Sequence, residues 1–249
     1  FTWTNDRLWR KNRRLNGNGT FGGDPNRNWG FEWGGEGAGT NPGNETYRGT
    51  GPFSEPETQV LRDFITARPN ILFSVDIHSF SQLVLSAWGY TDQPAPDASL
   101  FAAINPRIET AMESVQGQQY TAGPTYTTIY PASGVSSDWT YGDRHIFGWG
   151  FELRPANASQ GGFVLPAGQI IPPSEECWRA VPAGAQYLLE NALYFGFPDG
   201  QPQHLAALTG DTFAVEVRGA RLPLETSSVR VFSGIGGTGA LGARKSGGR

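Results

Sequence analysis

The chain holds 249 residues, 38% of them apolar and 12% aromatic, with a net charge of -4. That is enough for one sizeable core, too little for two large domains, and far from the composition of a disordered chain. The acidic balance offers no general field for nucleic acid or an anionic membrane, no apolar run is long enough to span a bilayer, and a lone Cys177 excludes intrachain disulfides and cysteine-rich metal sites.

Thirty-four glycines and eighteen prolines indicate long, shaped loops, and residues 1–50 read as loops around one or two short strands. The chain opens on Phe1-Thr-Trp-Thr-Asn5 with neither an initiator methionine nor a signal pattern, which reads as a start inside a longer polypeptide. Arg7, Arg10, Lys11, Arg13 and Arg14 cluster there, but Leu8 and Trp9 interrupt them, which favours a pocket over a solvated nucleic-acid patch. Ser54-Glu-Pro-Glu57 has the form of a capping box with Ser54 as N-cap, and Val60, Leu61, Phe64 and Ile65 continue it as the apolar stripe of a helix ending at Pro69-Asn70. Residues 71–77 form a β-branched run with little polar alternation, so a central strand buried on both faces is expected, with His78 at its carboxyl end. A strand over 83–86 and a helix over 98–115, bent or split at Pro106, follow. Residues 117–145 are expected to be a long sculpted loop, residues 147–153 a strand, and Ser174 the cap of a last helix reaching about Phe195 and bent at Pro182. Beyond Pro198, residues 212–218 and 229–232 alternate as exposed strands do, and the last eighteen residues read as unstructured. The expected fold is α/β: a mixed, mostly parallel central sheet with helices on both faces over 1–197, then a linker and partial β module or a disordered tail over 198–249. Ligands in such a sheet bind beyond the carboxyl ends of its strands.

Five residues carry chemical interest, each with a plainer reading beside it. In the strand at 147–153, alternation sets Phe147, Trp149, Phe151 and Leu153 on one face and Gly148, Gly150 and Glu152 on the other. Glu152 is therefore either a base in a glycine-made space or an ion-pair partner of Arg154. His78 is either a neutral metal ligand or a satisfied core histidine. Asn26 and Arg27 are adjacent in a turn-rich segment and form either a carboxylate clamp or an asparagine-stabilised turn. Tyr130, on a Gly/Ser loop, either moves over a site or is an ordinary half-buried tyrosine.

Taken in order, the segments Leu8-Trp-Arg-Lys-Asn12, Asp24-Pro-Asn-Arg-Asn-Trp29, Glu45-Thr-Tyr-Arg-Gly49 with Pro52-Phe-Ser-Glu-Pro-Glu57, Asp76-Ile-His-Ser-Phe-Ser-Gln82, Ile129-Tyr-Pro-Ala-Ser-Gly134 with Asp138-Trp139, and Phe151-Glu-Leu-Arg154 resemble the zinc metallocarboxypeptidases of the A/B type. The resemblance implies a secreted, extracellular, monomeric enzyme that removes the last residue from peptide or protein C-termini, using Zn2+. It makes His78 a zinc ligand, Glu152 the general base and Arg10 the group that steadies the oxyanion. Asn26 and Arg27 would hold the terminal carboxylate, and Tyr130 would cover the bound residue. Phe80 stands where the family usually has tyrosine, and Ser137 and Gly150 line the side-chain pocket, implying a roomy pocket of mixed preference. The family's other two zinc ligands sit in a His-x-x-Glu motif that this chain lacks. It therefore resembles the later part of a catalytic domain and is expected to hold zinc poorly by itself. Two alternatives share the fold: a non-catalytic binder of peptide carboxylates, and an amidase acting on cell-wall peptides.

Overall fold

A computed structural model describes residues 1–191 together with the short strands at 194–196, 216–218, 231–233 and 237–239. Its centre is a four-stranded sheet of β1 (Phe73–Ser79), β2 (Leu83–Ser86), β3 (Thr121–Pro124) and β4 (Phe147–Leu153), in the order β1-β4-β2-β3. β1 runs parallel to β4 and β2 parallel to β3, while β2 and β4 are antiparallel. The sheet is thus mixed and mostly parallel, as expected.

Strand alternation divides the sheet into two unlike faces. On one, Phe73 and Val75 of β1 join Trp149 and Phe151 of β4 in a core closed by α2 (Ala98–Gln116) and α5 (Ile171–Asn191). Trp149 and Phe151 are fully buried, and each aromatic side chain so removed from water contributes roughly 2–3 kcal/mol. Cys177 is buried in this core as a free thiol and packs there as a small apolar side chain. α2 runs through Pro106 without ending and stops at Gly117, whose left-handed φ of 71° suits a C-terminal cap. Gly184 lets α5 lie close to the sheet, since a Cβ there would come within 2.8 Å of the Phe73 ring.

The other face carries Gly148, Gly150 and Glu152 and is partly covered by α4 (Ser136–Gly142). A Cβ at Gly148 would stand 2.5 Å from Thr140 Oγ1 and 3.0 Å from Ser137 Cα, so glycine is what allows α4 to rest on β4.

Several expectations are corrected. β1 has β4 as its one neighbour among the described residues and is only half-buried, with Ile77 57% exposed; an apolar run did not make it central. The segment 117–145 contains β3, α3 (Thr125–Thr128) and α4, elements too short and too rich in Gly, Ser and Thr to show a period. α1 (Pro56–Thr66) has Glu55, not Ser54, at its N-cap position. The Ser54 hydroxyl is given to Glu55 Oε1, and the buried Asn28 side chain tethers the start of the helix, accepting from Glu55 N and Thr58 Oγ1 without capping its first-turn N–H groups. The α1 stripe points away from any core among the described residues, with Val60, Leu61 and Phe64 exposed. α5 starts at Ile171 rather than Ser174, because Pro172 and Pro173 occupy a first turn where a missing N–H costs nothing. It continues through Pro182 to Asn191, short of Phe195.

Residues 1–50 hold isolated bridges at Leu15–Phe21 and Gly39–Tyr47 and a single-turn helix at Pro25–Arg27. Further on, β5 (Tyr194–Gly196) pairs with β6 (Glu216–Arg218), and β7 (Val231–Ser233) with β8 (Gly237–Gly239), both antiparallel. These overlap the expected strands at 212–218 and 229–232; the remainder of those ranges and the rest of the tail lie outside the described residues. None of the described helices is long and apolar enough to cross a membrane.

Candidate active site

Parallel pairing of β1 with β4 sets His78 directly beside Glu152 and Asp76 beside Gly150. Ser74, Asp76 and His78 share one face by alternation, so the histidine and both carboxyl groups look out on the same glycine-lined side. The loop at 24–29 crosses over them. Asp24 pins its start by accepting from Asn26 N at 3.0 Å, and Arg10 reaches Asp24 Oδ2 through Nε and Nη2 at 3.1 and 2.9 Å. Asn26 is tied to α4, its Oδ1 accepting from Ser136 N at 3.0 Å.

His78 Nε2 lies 3.0 Å from Asp76 Oδ2 and 3.2 Å from Asn26 Nδ2. One ring nitrogen cannot donate to the first and accept from the second at once. The carboxylate, itself steadied by the Ser136 hydroxyl at 2.6 Å, is the stronger partner and keeps the proton on Nε2. The neutral ring then presents the Nδ1 lone pair, an arrangement that orients a histidine for a metal. Burial alone would lower the His78 pKa, but the Asp76 hydrogen bond and charge, with Glu152 nearby, raise it; burial likewise opposes charge on Asp76, yet His78 and Ser136 hold it below its ordinary value.

Glu152 differs from its neighbours. Its Oε2 is buried with no hydrogen-bond partner, and burial lifts its pKa against the opposing pull of His78 and Arg10. Arg154 is not its partner. β4 ends at Leu153, and Arg154 turns to the helical side, where it is buried in an ion pair with Glu176 of α5. The ion-pair reading of Glu152 is thereby removed. Arg10 remains charged: burial works against it, but Asp24, Tyr130 and Glu152 raise its pKa above the ordinary value.

Arg27 is almost wholly buried, with Nε donating to Gly37 O and Nη1 to Asn26 O, and its guanidinium lies 5.9 Å from the centre of the half-exposed Tyr130 ring. A cavity of about 40 Å³ joins Asn26, Arg27, Tyr130, Ser137, Gly150 and Glu152. Eight of the nine expected positions thus converge around this cavity or beside it. Phe80 stands apart, its ring against Phe163 at 4.8 Å. The cavity is smaller than the expected roomy pocket, because Leu85, Ile129 and Val135 also wall it in. Gly150 itself is open, since a Cβ there would meet nothing nearer than Leu85 Cβ at 3.8 Å.

The sequence reading assigned no role to Asp76, Asp24 or Ser136, although the two-residue spacing of Asp76 and His78 was a signal that they share a face. The basic cluster near the N-terminus does not form one field. Arg10 goes to Asp24, Lys11 Nζ to Pro42 O, Arg14 to Glu55, and Arg13 lies over the rings of Phe1, Trp9 and Phe21.

A zinc ion asks for three protein ligands in a catalytic site. No group of three His, Cys, Asp or Glu side chains able to hold a metal occurs among the described residues. His78 fits one position of such a shell; the described residues do not fill the rest.

A family model described as zinc carboxypeptidase matches residues 1–180. Carboxypeptidase A4 of Mus musculus is 44% identical over 179 residues, covering 72% of this chain and 42% of that protein, and carboxypeptidase A1 of Rattus norvegicus is 43% identical over 182 residues, covering 73% and 43%. The chain spans less than half the length of these relatives. Among solved structures, bovine thrombin-activatable fibrinolysis inhibitor in complex with tick carboxypeptidase inhibitor matches with a TM-score of 0.71 and 34% identity, over 76% of this chain and 64% of that one.

Proposed function

Since the chain belongs to the zinc carboxypeptidase family, we propose that it forms the carboxylate-recognising and proton-transferring part of a metallocarboxypeptidase that removes the last residue of peptides. The observation that carries this reading is Glu152: a buried carboxylate oxygen without a partner, beside an oriented imidazole and two arginines. Arg27 is held by carbonyls at Nε and Nη1 and keeps Nη2 without a partner among the described residues, which suits a fixed guanidinium that takes a substrate's terminal carboxylate, with Asn26 beside it. Tyr130 covers the bound residue from its half-exposed place over Arg27. Ser137 and Gly150 line the space for the terminal side chain, and Phe80 flanks the approach of the preceding residues.

Glu152 takes a proton from the attacking water and returns it to the leaving amine. Its raised pKa brings it closer to the range where such exchange is efficient. Arg10, anchored by Asp24, donates to the oxyanion that develops on the scissile carbonyl, a contribution typically of about 100- to 1,000-fold in rate. Zinc, for which His78 is the ligand these residues offer, would supply Lewis acidity once ligands from outside the described residues complete its shell. Residues 1–197 are assigned to the catalytic domain and 198–249 to a separate module, and the family likeness supports an extracellular, monomeric enzyme. The incomplete ligand set favours a second reading, a binder of peptide carboxylates. A binder has no use for an unpaired buried carboxylate.

The test is hydrolysis by the zinc-loaded protein of a peptide with a free C-terminus and of the same peptide amidated. Release of one terminal amino acid from the free form, and none from the amide, is expected. Binding of the free form without release would favour the binder, and equal cleavage of both would place recognition elsewhere.

A further inference from the structure

Arg10, Arg27 and Tyr130 do not only face the small cavity and groove around His78. They also line an open cavity of about 580 Å³ together with Gly37, Ala38, Gly39, Glu45 and Thr46. Glu45 is exposed. Arg10 gives Nε and Nη2 to Asp24, and Arg27 gives Nε and Nη1 to carbonyl oxygens, which leaves Arg10 Nη1 and Arg27 Nη2 without a hydrogen-bond partner among the described residues. The same cavity is therefore lined by two guanidinium groups and by one exposed carboxylate with no hydrogen-bond or ion-pair partner among the described residues.

We propose that this cavity is a station for the released amino acid, with its carboxylate on Arg27 and Arg10 and its ammonium on Glu45. The proposal rests on the carboxypeptidase reading given above. Its chemical basis is that hydrolysis creates a group the substrate lacks. The amide nitrogen of the terminal residue is neutral before cleavage and becomes an ammonium afterwards. An anionic side chain near the arginines therefore distinguishes product from substrate, whereas arginines alone bind the carboxylate of both. Arg27 and Tyr130 line both cavities, so a released amino acid can move from the enclosed one to the open one while its carboxylate stays beside the same guanidinium. Glu45 then draws the product outward without strengthening the hold on a peptide, which serves turnover wherever release limits the rate.

The experiment uses the 249-residue chain with two probes, L-phenylalanine and N-acetyl-L-phenylalanine, followed by NMR titration on wild type and on Glu45→Gln. Both probes carry the carboxylate; only the first carries an ammonium. The substitution is expected to weaken L-phenylalanine about threefold to tenfold and to leave the N-acetyl compound within experimental error, with Glu45→Lys weakening the first probe further. An unchanged ratio between the probes, or an equal loss for both, overturns the product station and leaves the carboxylate clamp standing. Failure of both probes to bind wild type at millimolar concentration overturns the clamp and the station together. Glu45 is at the surface, and an unchanged spectrum of the free variant confirms that its fold is intact.

Discussion

Glu152, half-buried with its Oε2 enclosed, and Glu176, fully buried on α5, are two carboxylates on opposite sides of the same sheet. Glu176 is fully enclosed and fully answered: Arg154 pairs with it, and the Tyr120 hydroxyl donates to it at 2.7 Å. Burial and that carboxylate together drive the Tyr120 pKa well above its ordinary value. Glu152 is left with an unpartnered oxygen and a raised pKa. A buried charge that is satisfied ties β4 to α5; one that is not satisfied is available for reaction.

The contrast can be broken from both sides. Glu152→Gln in the zinc-loaded protein is expected to lower kcat by about 100- to 10,000-fold while peptide affinity and the unfolding midpoint hardly change, measured by steady-state hydrolysis and urea denaturation. Glu176→Gln should do the reverse, costing about 3–5 kcal/mol of stability because Arg154 is left charged and buried without an anion. A large stability loss from the first substitution, or an intact fold after the second, would erase the distinction.

Asp138 sharpens it as an intermediate case. Burial pushes its pKa up to about 7, although Gly89 N and Tyr90 N donate to it. Its folded pKa lies above the ordinary 3.8, so the folded state binds more protons between those values. The stability this group allows is therefore intact below pH 4 and declines as pH rises to about 7, with a slope of up to about 1.4 kcal/mol per unit. Asp138→Asn should flatten that slope. Urea midpoints of both proteins across pH 4–8 would show it, and parallel curves would mean that Asp138 stays ionised throughout.

Much of this arrangement was legible in the chain. The two faces of β4 follow from alternation alone, and the order of the segments around Arg10, Asn26, Arg27, His78, Tyr130 and Glu152 carried the family resemblance. What could not be read was pairing across distance. Nothing local reveals that Arg154 leaves the face of Glu152 after the strand ends, or that Asn28 tethers the start of a helix 27 residues away. The polar turn α4 escaped for the same reason: Ser137, Asp138 and Thr140 are buried by partners from other segments, so no apolar period marks them. The cavity beside Ser137 and Gly150 is narrower than two small residues suggest, because Leu85, Ile129 and Val135 from other segments also wall it.

One feature bears on handling the molecule. Along Phe73–Ser79, β1 spends its ladder hydrogen bonds on β4 alone among the described residues, with Ile77 outward and the apolar residues Val60, Leu61 and Phe64 of α1 also open to water. Natural edge strands are commonly blunted by lysine, proline or a bulge, and β1 contains neither lysine nor proline. An edge of that kind is a template for a further strand, so the expected outcome for this chain is self-association that rises with concentration despite the net charge, and light scattering across a dilution series checks it.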